Sequence, residues 1–202
     1  MRMADLKEPV VFSHVVESLF KLVRKERLNA EQRKRLKAIG IDLDQPFLVA
    51  YSLPTWFGAV GVCAEALFPE LPLEEAHYRI GQELVSTFGR TNIGRAVFFF
   101  LRMLGWEHSL SRITRGLQSG TNFLTASTRY LPDGSLEVCF DVMPEFHASL
   151  GGQSGIDPHF MNGNMDTMMA LVGAPFRGGV LQPRAPSAQK AIYILPRKGA
   201  PP

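Results

Sequence analysis

The spacing of hydrophobic residues changes near residue 120 of this 202-residue chain, and this change constrains the fold more than any other feature. Before it, apolar residues recur every three or four positions, which is the period of an amphipathic helix. After it, apolar and polar residues alternate, most clearly over LEVCFDV, residues 136–142, as in a strand with one buried face. The sequence therefore predicts helices first and a sheet afterwards.

The first part of the chain carries six helical patterns. Helices are predicted to begin near Ser13, after Asn29 and near Leu73, with Thr55 as the N-cap of the third. Asn29 and Gln32 form a capping-box pattern for the short second helix, and the segment FLVAY that follows it is expected to be extended. A fifth helix covers residues 92–106 and a sixth residues 108–119.

The second part is predicted to contain four strands and one helix. PDG at residues 132–134 is a turn signal that joins two strands into a hairpin. Asp157 before Pro158 favours a helix start, and this seventh helix is expected to end at Gly173. Two further strands close the chain. The predicted fold class is α+β, with N-terminal helices on one face of a C-terminal antiparallel sheet of about four strands.

One domain is expected to span residues 1–202, with frayed termini at 1–9 and 197–202, because the chain is short for two cores. The N-terminal segment lacks the pattern of a signal peptide, and two cysteines make no disulfide framework. These features predict a cytoplasmic protein with reduced thiols.

The fifth predicted helix contains three consecutive phenylalanines in NIGRAVFFFLRMLGW. Its uninterrupted apolar run covers only residues 96–101, whereas crossing a bilayer takes about 20 residues, so no transmembrane segment is predicted. Arg95 and Arg102 fall on nearly one line of a helix. This placement predicts a central helix that is buried on most of its circumference. Core packing, a pocket wall and a self-association face remain open as roles for its aromatic residues.

Basic residues are concentrated in residues 21–37, where eight basic residues stand against two acidic ones, while the whole chain has a net charge of +3. This block fits a solvated helical hairpin or a surface for an anionic partner. Specific nucleic-acid recognition is not predicted, because charge alone specifies no ligand.

No complete catalytic or metal-binding motif is present. The histidines are scattered singly, and the nearest approach to a cluster is Glu145, His147, Asp157 and His159, so no metal site is predicted. Cys63 has an apolar helical setting with no neighbouring base, which favours a structural thiol. The chain is therefore predicted not to be an enzyme; use of Cys63 or of the loop from His147 to His159 in catalysis is the enzymatic alternative.

Four methionines lie on one face of the seventh predicted helix, Met161, Met165, Met168 and Met169. Because thioether side chains adapt to irregular shapes, this face suits a lipophilic ligand or a variable partner groove, although most such stripes are core.

Two segments, GQELVSTFGRTNIGRAVFFFLRMLG and RITRGLQSGTNF, resemble the signature of a large paralogous family of uncharacterised myxobacterial proteins, a domain of unknown function. Upstream segments such as AYSLPTWFGAVGVCAEALFPELPLEEAHYRIG occur in the order of that family. The resemblance covers residues 10–145. Beyond Met143 the resemblance weakens: the family commonly continues with a helix and closing strands, whereas this chain inserts a glycine-rich loop and its methionine helix.

That family is similar in turn to the ligand-binding superfamily of haem nitric-oxide sensors, 4-vinyl-reductase-type domains and TRAPP Golgi-transport subunits. The similarity implies helices on an antiparallel sheet with an apolar cavity between them, and no enzyme. Haem is not expected, because TASTR keeps Ser127 and Arg129 of the sensors' Tyr-x-Ser-x-Arg motif but has Thr125 in place of tyrosine, and His108 is the only candidate axial ligand. By analogy with TRAPP-type relatives, Cys63 is a candidate for carrying an acyl chain.

Two functional hypotheses follow. The first is a cytoplasmic, non-enzymatic signalling or scaffold module with a cavity for a small apolar ligand and no cofactor. Its predicted wall comprises Trp56, Phe57, Phe98, Phe99, Phe100 and Met165. The second is a protein-interaction module, either dimeric or part of a larger GTPase- or membrane-associated assembly. Its predicted surface comprises Arg33, Lys34, Arg35 and Met168.

Overall fold

A computed structural model describes residues 8–110, 112–176, 178–182 and 189–197. Its helices are α1 (Ser13–Val23), α2 (Ala30–Ala38), α3 (Leu53–Leu67), α4 (Leu73–Arg90), α5 (Asn92–Leu104), α6 (Trp106–Leu110), α7 (Ile113–Gly120) and α8 (Pro158–Val172). Its strands are β1 (Val10–Phe12), β2 (Ala50–Ser52), β3 (Leu124–Tyr130), β4 (Leu136–Val142), β5 (Val180–Leu181) and β6 (Lys190–Leu195). Most of the termini that were expected to fray lie outside the described residues.

The predicted α+β architecture is confirmed. Strands β3 to β6 form one antiparallel sheet in the order β3-β4-β6-β5, and β1 pairs with β2 in a small second sheet. Along β4, every second side chain is buried, as the alternation predicted. The helices cover the face on which those buried side chains lie, so the hydrophobic core sits between the helices and the sheet.

The predicted hairpin is also confirmed, and its turn depends on a glycine. Residues of β3 pair with residues of β4 from Leu124 and Val142 to Tyr130 and Leu136. In the turn, Gly134 donates its N–H to the carbonyl oxygen of Leu131 at 2.9 Å. Its φ of +80° is in the left-handed region, which favours glycine.

The helix ends follow local hydrogen bonding, with one correction. The Asn29 side chain accepts from the N–H of Gln32, and the Gln32 side chain accepts from the N–H of Asn29, so the predicted capping box is confirmed. Helix α3, however, is capped by Ser52 and not by Thr55. The Ser52 hydroxyl accepts from the Thr55 N–H, and Pro54 occupies the first turn, where a missing N–H costs nothing.

The sixth predicted helix is divided in the structure. Helix α6 ends at Leu110, and α7 begins at Ile113. The two helices have different neighbours, since α7 packs against β3 and β1 while α6 contacts α5 and α8. The periodicity alone ran across both segments and did not show this break.

Helix α4 is the central helix, and the prediction that α5 is central and buried on most of its circumference was wrong. Helix α4 contacts α1, α3, α5 and α8. In α5 the buried residues are Gly94 and Phe98. Helix α5 instead packs through one side against α4, α6 and α8, and its other side is exposed.

The close contact between α4 and α8 depends on glycine. A Cβ atom at Gly81 would overlap the backbone of Phe160, and one at Gly163 would overlap the backbone of Tyr78. The two helices therefore touch through their backbones at this crossing. No helix within the described residues is long and apolar enough to cross a membrane.

Candidate functional site

A cavity of about 720 Å³ lies between the helices and the core face of the sheet. This volume falls within the range of roughly 300–1,000 Å³ that is typical of small-molecule sites. Helices α3, α4, α5, α7 and α8 contribute to its wall, and strands β3 and β4 contribute Leu124 and Phe140. The wall is predominantly apolar, so the cavity favours an apolar occupant over water.

Helix α8 contributes the methionine face to this cavity. All four methionines, Met161, Met165, Met168 and Met169, line it. Met165 and Met169 are fully buried, and Met168 is half-buried. Since thioether side chains are flexible and polarizable, this part of the wall can adapt to the shape of a bound molecule.

The structure brings four of the six predicted wall residues together. Trp56, Phe57, Phe98 and Met165 line the cavity. Phe99 and Phe100 lie outside this wall, and 65% and 54% of their surfaces are exposed. Successive helical residues are about 100° apart, so three adjacent phenylalanines cannot all face one cavity.

The predicted partner surface is not one continuous patch. Arg35 forms an ion pair with Glu65 at 2.5 Å, and the Nε–H of Arg33 donates to the carbonyl oxygen of Leu28 at 3.2 Å. Lys34 is exposed. Met168 lies on a different helix, α8, in the cavity wall.

A half-buried His–Asp pair, of which Asp157 lines the cavity, was missed by sequence reasoning. His77 on α4 and Asp157, the N-cap of α8, are 2.5 Å apart between Nδ1 and Oδ2. The other carboxylate oxygen accepts from the N–H of Phe160 at 3.0 Å. Burial raises the pKa of Asp157, but the hydrogen bonds from His77 and Phe160 outweigh it and hold this pKa below its usual value.

No local signal could have revealed this pair, because its members are 80 positions apart in the chain. His77 Nε2 is buried, and it has no hydrogen-bond partner among the described residues. His77 does not line the cavity, and its Nδ1 contact with Asp157 joins α4 to α8.

The residues proposed for enzymatic alternatives do not come together in the described part of the chain. Cys63 is fully buried and does not line the cavity, and burial raises the pKa of its thiol to about 12. His147 Nε2 lies 2.9 Å from the carbonyl oxygen of Val142, and His159 faces Glu74 at 3.8 Å. Among the described residues, no group of three or more His, Cys, Asp or Glu side chains could hold a metal ion.

The partial motif Thr125, Ser127 and Arg129 lies on the sheet face opposite the cavity. Because side chains alternate along a strand, these residues share the side of Asp141, Cys139 and Glu137, their partners in β4. Leu124, by contrast, is on the cavity side. The guanidinium of Arg129 is paired with Glu137 at 2.9 Å.

A family of related sequences covers most of this chain. A family model described as "Protein of unknown function (DUF2378)" matches residues 9–193. No curated protein matches the chain.

Several solved structures share the fold at low sequence identity. One is an H-NOX protein from S. oneidensis in the Fe(II)NO ligation state, with 12% identity, a TM-score of 0.58, and coverage of 92% of this chain and 98% of that chain. A second was determined to probe haem distortion in the H-NOX family, with 11% identity, a TM-score of 0.55, and coverage of 93% and 95%. A third is an oxygen-binding H-NOX domain related to soluble guanylate cyclases, with 11% identity, a TM-score of 0.51, and coverage of 90% and 91%. These likenesses show a common fold.

Proposed function

This chain belongs to the DUF2378 family of proteins of unknown function, and we propose that it is a cytoplasmic, non-enzymatic signalling or scaffold module that binds a small lipophilic ligand in its cavity. The observation that carries this proposal is the apolar cavity of about 720 Å³ between the helices and the sheet. Removing apolar ligand surface from water supplies roughly 25 cal/mol per Å², which gives an apolar cavity of this kind affinity for lipophilic molecules.

Ligand binding in this cavity has a direct route to signalling. The wall takes residues from α4, α5 and α8, which contact one another, and from the sheet. A ligand that bridges these elements stabilises the arrangement to which it binds. Ligand binding then changes the position of α5, and a partner that binds the exposed side of α5 responds to this change.

Haem does not fit the residues of this cavity. The described residues of its wall include no histidine and no cysteine. His108 is exposed on α6, and Ser127 and Arg129 lie on the opposite face of the sheet. The H-NOX proteins share the fold, but the ligand proposed for this chain is an apolar molecule other than haem.

A neutral, environment-sensitive dye such as N-phenylnaphthylamine tests the proposal. The dye should bind to the purified protein with increased fluorescence, and Met168→Trp, which fills the cavity, should reduce this binding at least about tenfold, equivalent to about 1.4 kcal/mol. Met103→Trp is the matched control, because Met103 is 72% exposed and lies outside the cavity wall. Absence of dye binding to the unmodified protein, or equal binding by Met168→Trp, contradicts the proposal.

One observation favours a second candidate function, recognition of a protein partner. Helix α5 exposes five large apolar side chains, Ile93, Val97, Phe99, Phe100 and Met103. The same helix carries Arg95 and Arg102 and no acidic residue. Because contiguous exposed apolar side chains mark interaction sites, this face fits a partner whose apolar patch is bordered by carboxylates.

Light scattering separates the forms of this second function. Partner recognition is supported if the protein is a monomer that binds an acidic partner and if Phe99→Ser/Phe100→Ser abolishes this complex. A dimer that dissociates in the same variant identifies a second copy of this chain as the partner. A monomeric protein whose interactions all survive the double substitution contradicts this function.

A further inference from the structure

The charged residues that line the cavity are Arg112, Arg115 and Asp157, within the part of the chain that the structure describes. Asp157 is already bonded to His77 and to the N–H of Phe160. Its charge is therefore compensated within the protein. The two arginines are different, because both are exposed residues at the edge of the cavity and belong to the start of α7.

Arg112 and Arg115 are three positions apart, so they lie on one side of the first turn of α7. Neither guanidinium has an ion-pair partner among the described residues, in contrast to Arg35 and Arg129, which pair with Glu65 and Glu137. The cavity therefore has an apolar interior and a positively charged rim.

The inference rests on the proposed ligand-binding function and specifies the class of ligand. We propose that the ligand is a single-chain anionic amphiphile: its hydrocarbon chain lies among Phe98, Phe140 and Met165, and its anionic head group is bound by Arg112 and Arg115 at the rim. A guanidinium presents two parallel N–H donors that match the oxygens of a carboxylate or a phosphate. The rim accordingly holds the head group at the solvent while the chain is removed from water.

This arrangement also explains why the rim charges are placed on α7. A charged head group that entered the apolar interior would lose its hydration without compensation, which is unfavourable. Two arginines at the edge let the head group remain partly hydrated and fix the direction in which the chain enters. The ligand is thereby oriented with its tail toward the methionine face of α8.

Displacement of bound N-phenylnaphthylamine by four ligands of equal chain length tests the inference. Hexadecanoate, hexadecyl phosphate, hexadecanol and hexadecylamine are compared below their critical micelle concentrations. We expect hexadecanoate to bind at least about tenfold more tightly than hexadecanol, the ratio that corresponds to about 1.4 kcal/mol for charge-assisted hydrogen bonds. Hexadecylamine should bind more weakly than either.

Variants assign the preference to the two arginines. In Arg112→Gln/Arg115→Gln, hexadecanoate should bind no more tightly than hexadecanol. Lys34→Gln/Arg95→Gln is the matched control, because both residues are exposed outside the cavity wall and the two substitutions remove the same total charge. Circular dichroism and the thermal midpoint of each variant show whether it is folded.

The outcomes distinguish a carboxylate from a phosphate head group, and they distinguish failure of this inference from failure of the proposed ligand-binding function. Stronger binding of hexadecyl phosphate than of hexadecanoate, lost in the double variant, supports the inference and identifies a phosphate head group. Equal binding of hexadecanoate and hexadecanol by the unmodified protein overturns it, as does an anion preference that survives in the double variant. If the dye itself does not bind, the ligand-binding function fails and the inference fails with it.

Discussion

Gly81 of α4 and Gly163 of α8 lie at the point where the two helices cross, each against the backbone of the opposite helix. A side chain at either position would overlap a carbonyl group, that of Phe160 or that of Tyr78. This crossing brings α8 close enough to α4 for its methionines to reach the cavity and for Asp157 to bond His77. The glycine pair thus sets the position of the methionine wall.

Substitution of Gly81 is expected to destabilise the protein. Gly81→Ala should lower the free energy of unfolding by about 2 kcal/mol, because the new Cβ forces the two helices apart. Gly116→Ala is the matched control: Gly116 lies within α7 and a Cβ there meets no atom within 4 Å. That substitution should stabilise the protein by up to about 1 kcal/mol through helix propensity. Urea denaturation measures both, and equal effects would contradict the close crossing.

Alanine substitutions of the three adjacent phenylalanines of α5 are expected to change the free energy of unfolding by different amounts. Phe98 is 7% exposed and packs edge-on against Phe88 with ring centroids 6.1 Å apart, so Phe98→Ala should cost about 3 kcal/mol of unfolding free energy. Phe99→Ala and Phe100→Ala should each change it by no more than about 0.5 kcal/mol. Thermal and urea denaturation provide the comparison. A large loss in Phe99→Ala would show that this side chain is buried.

The Asp157 carboxylate should make stability depend on pH at the acidic end. Its pKa is lower in the folded protein than its ordinary value of 3.8. The stability that it contributes is therefore fully present above that ordinary value and is lost as the pH falls through the folded pKa. Asp157→Asn, which keeps a good N-cap, should flatten this acid dependence of the thermal midpoint.

Two substitutions of Asp157 separate the contribution of its charge from the contribution of its N-cap hydrogen bond. At neutral pH, Asp157→Asn removes the charged acceptor of His77 and should cost about 2 kcal/mol of unfolding free energy. Asp157→Ala should cost about 1 kcal/mol more, because the N–H of Phe160 also loses its acceptor. Identical acid transitions for the unmodified protein and Asp157→Asn would contradict this role of the carboxylate.

Cys63 should be unreactive in the native protein. Burial raises the pKa of its thiol to about 12, so very little thiolate exists at neutral pH, and no reagent reaches it. In a Cys139→Ser variant, iodoacetamide should label Cys63 only after denaturation, as detected by intact mass. Rapid labelling in the native state would contradict this, and it would restore Cys63 as a candidate for acyl attachment.

Much of the fold could be predicted because its signals are local. The capping box of Asn29 and Gln32, the turn at Gly134 and the helix start at Asp157 each depend on hydrogen bonds between residues a few positions apart. The alternation along β4 likewise shows which side chains face the core. The exceptions, the cap of α3 at Ser52 and the break between α6 and α7, are points where neighbouring signals compete.

The site was less predictable, since it depends on residues that are distant in the chain. Periodicity identified the methionine face of α8 but did not show that it meets Phe98 and Trp56 around one cavity. It also gave α5 a central place, because a nearly all-apolar helix is typical of a core. The sequence by itself determined the helices, the hairpin and the alternating strand, since these depend on interactions between near neighbours. Only the tertiary structure decided which face of α5 is exposed, that His77 bonds Asp157, and that Arg112 and Arg115 border the cavity, because packing alone brings such distant residues together.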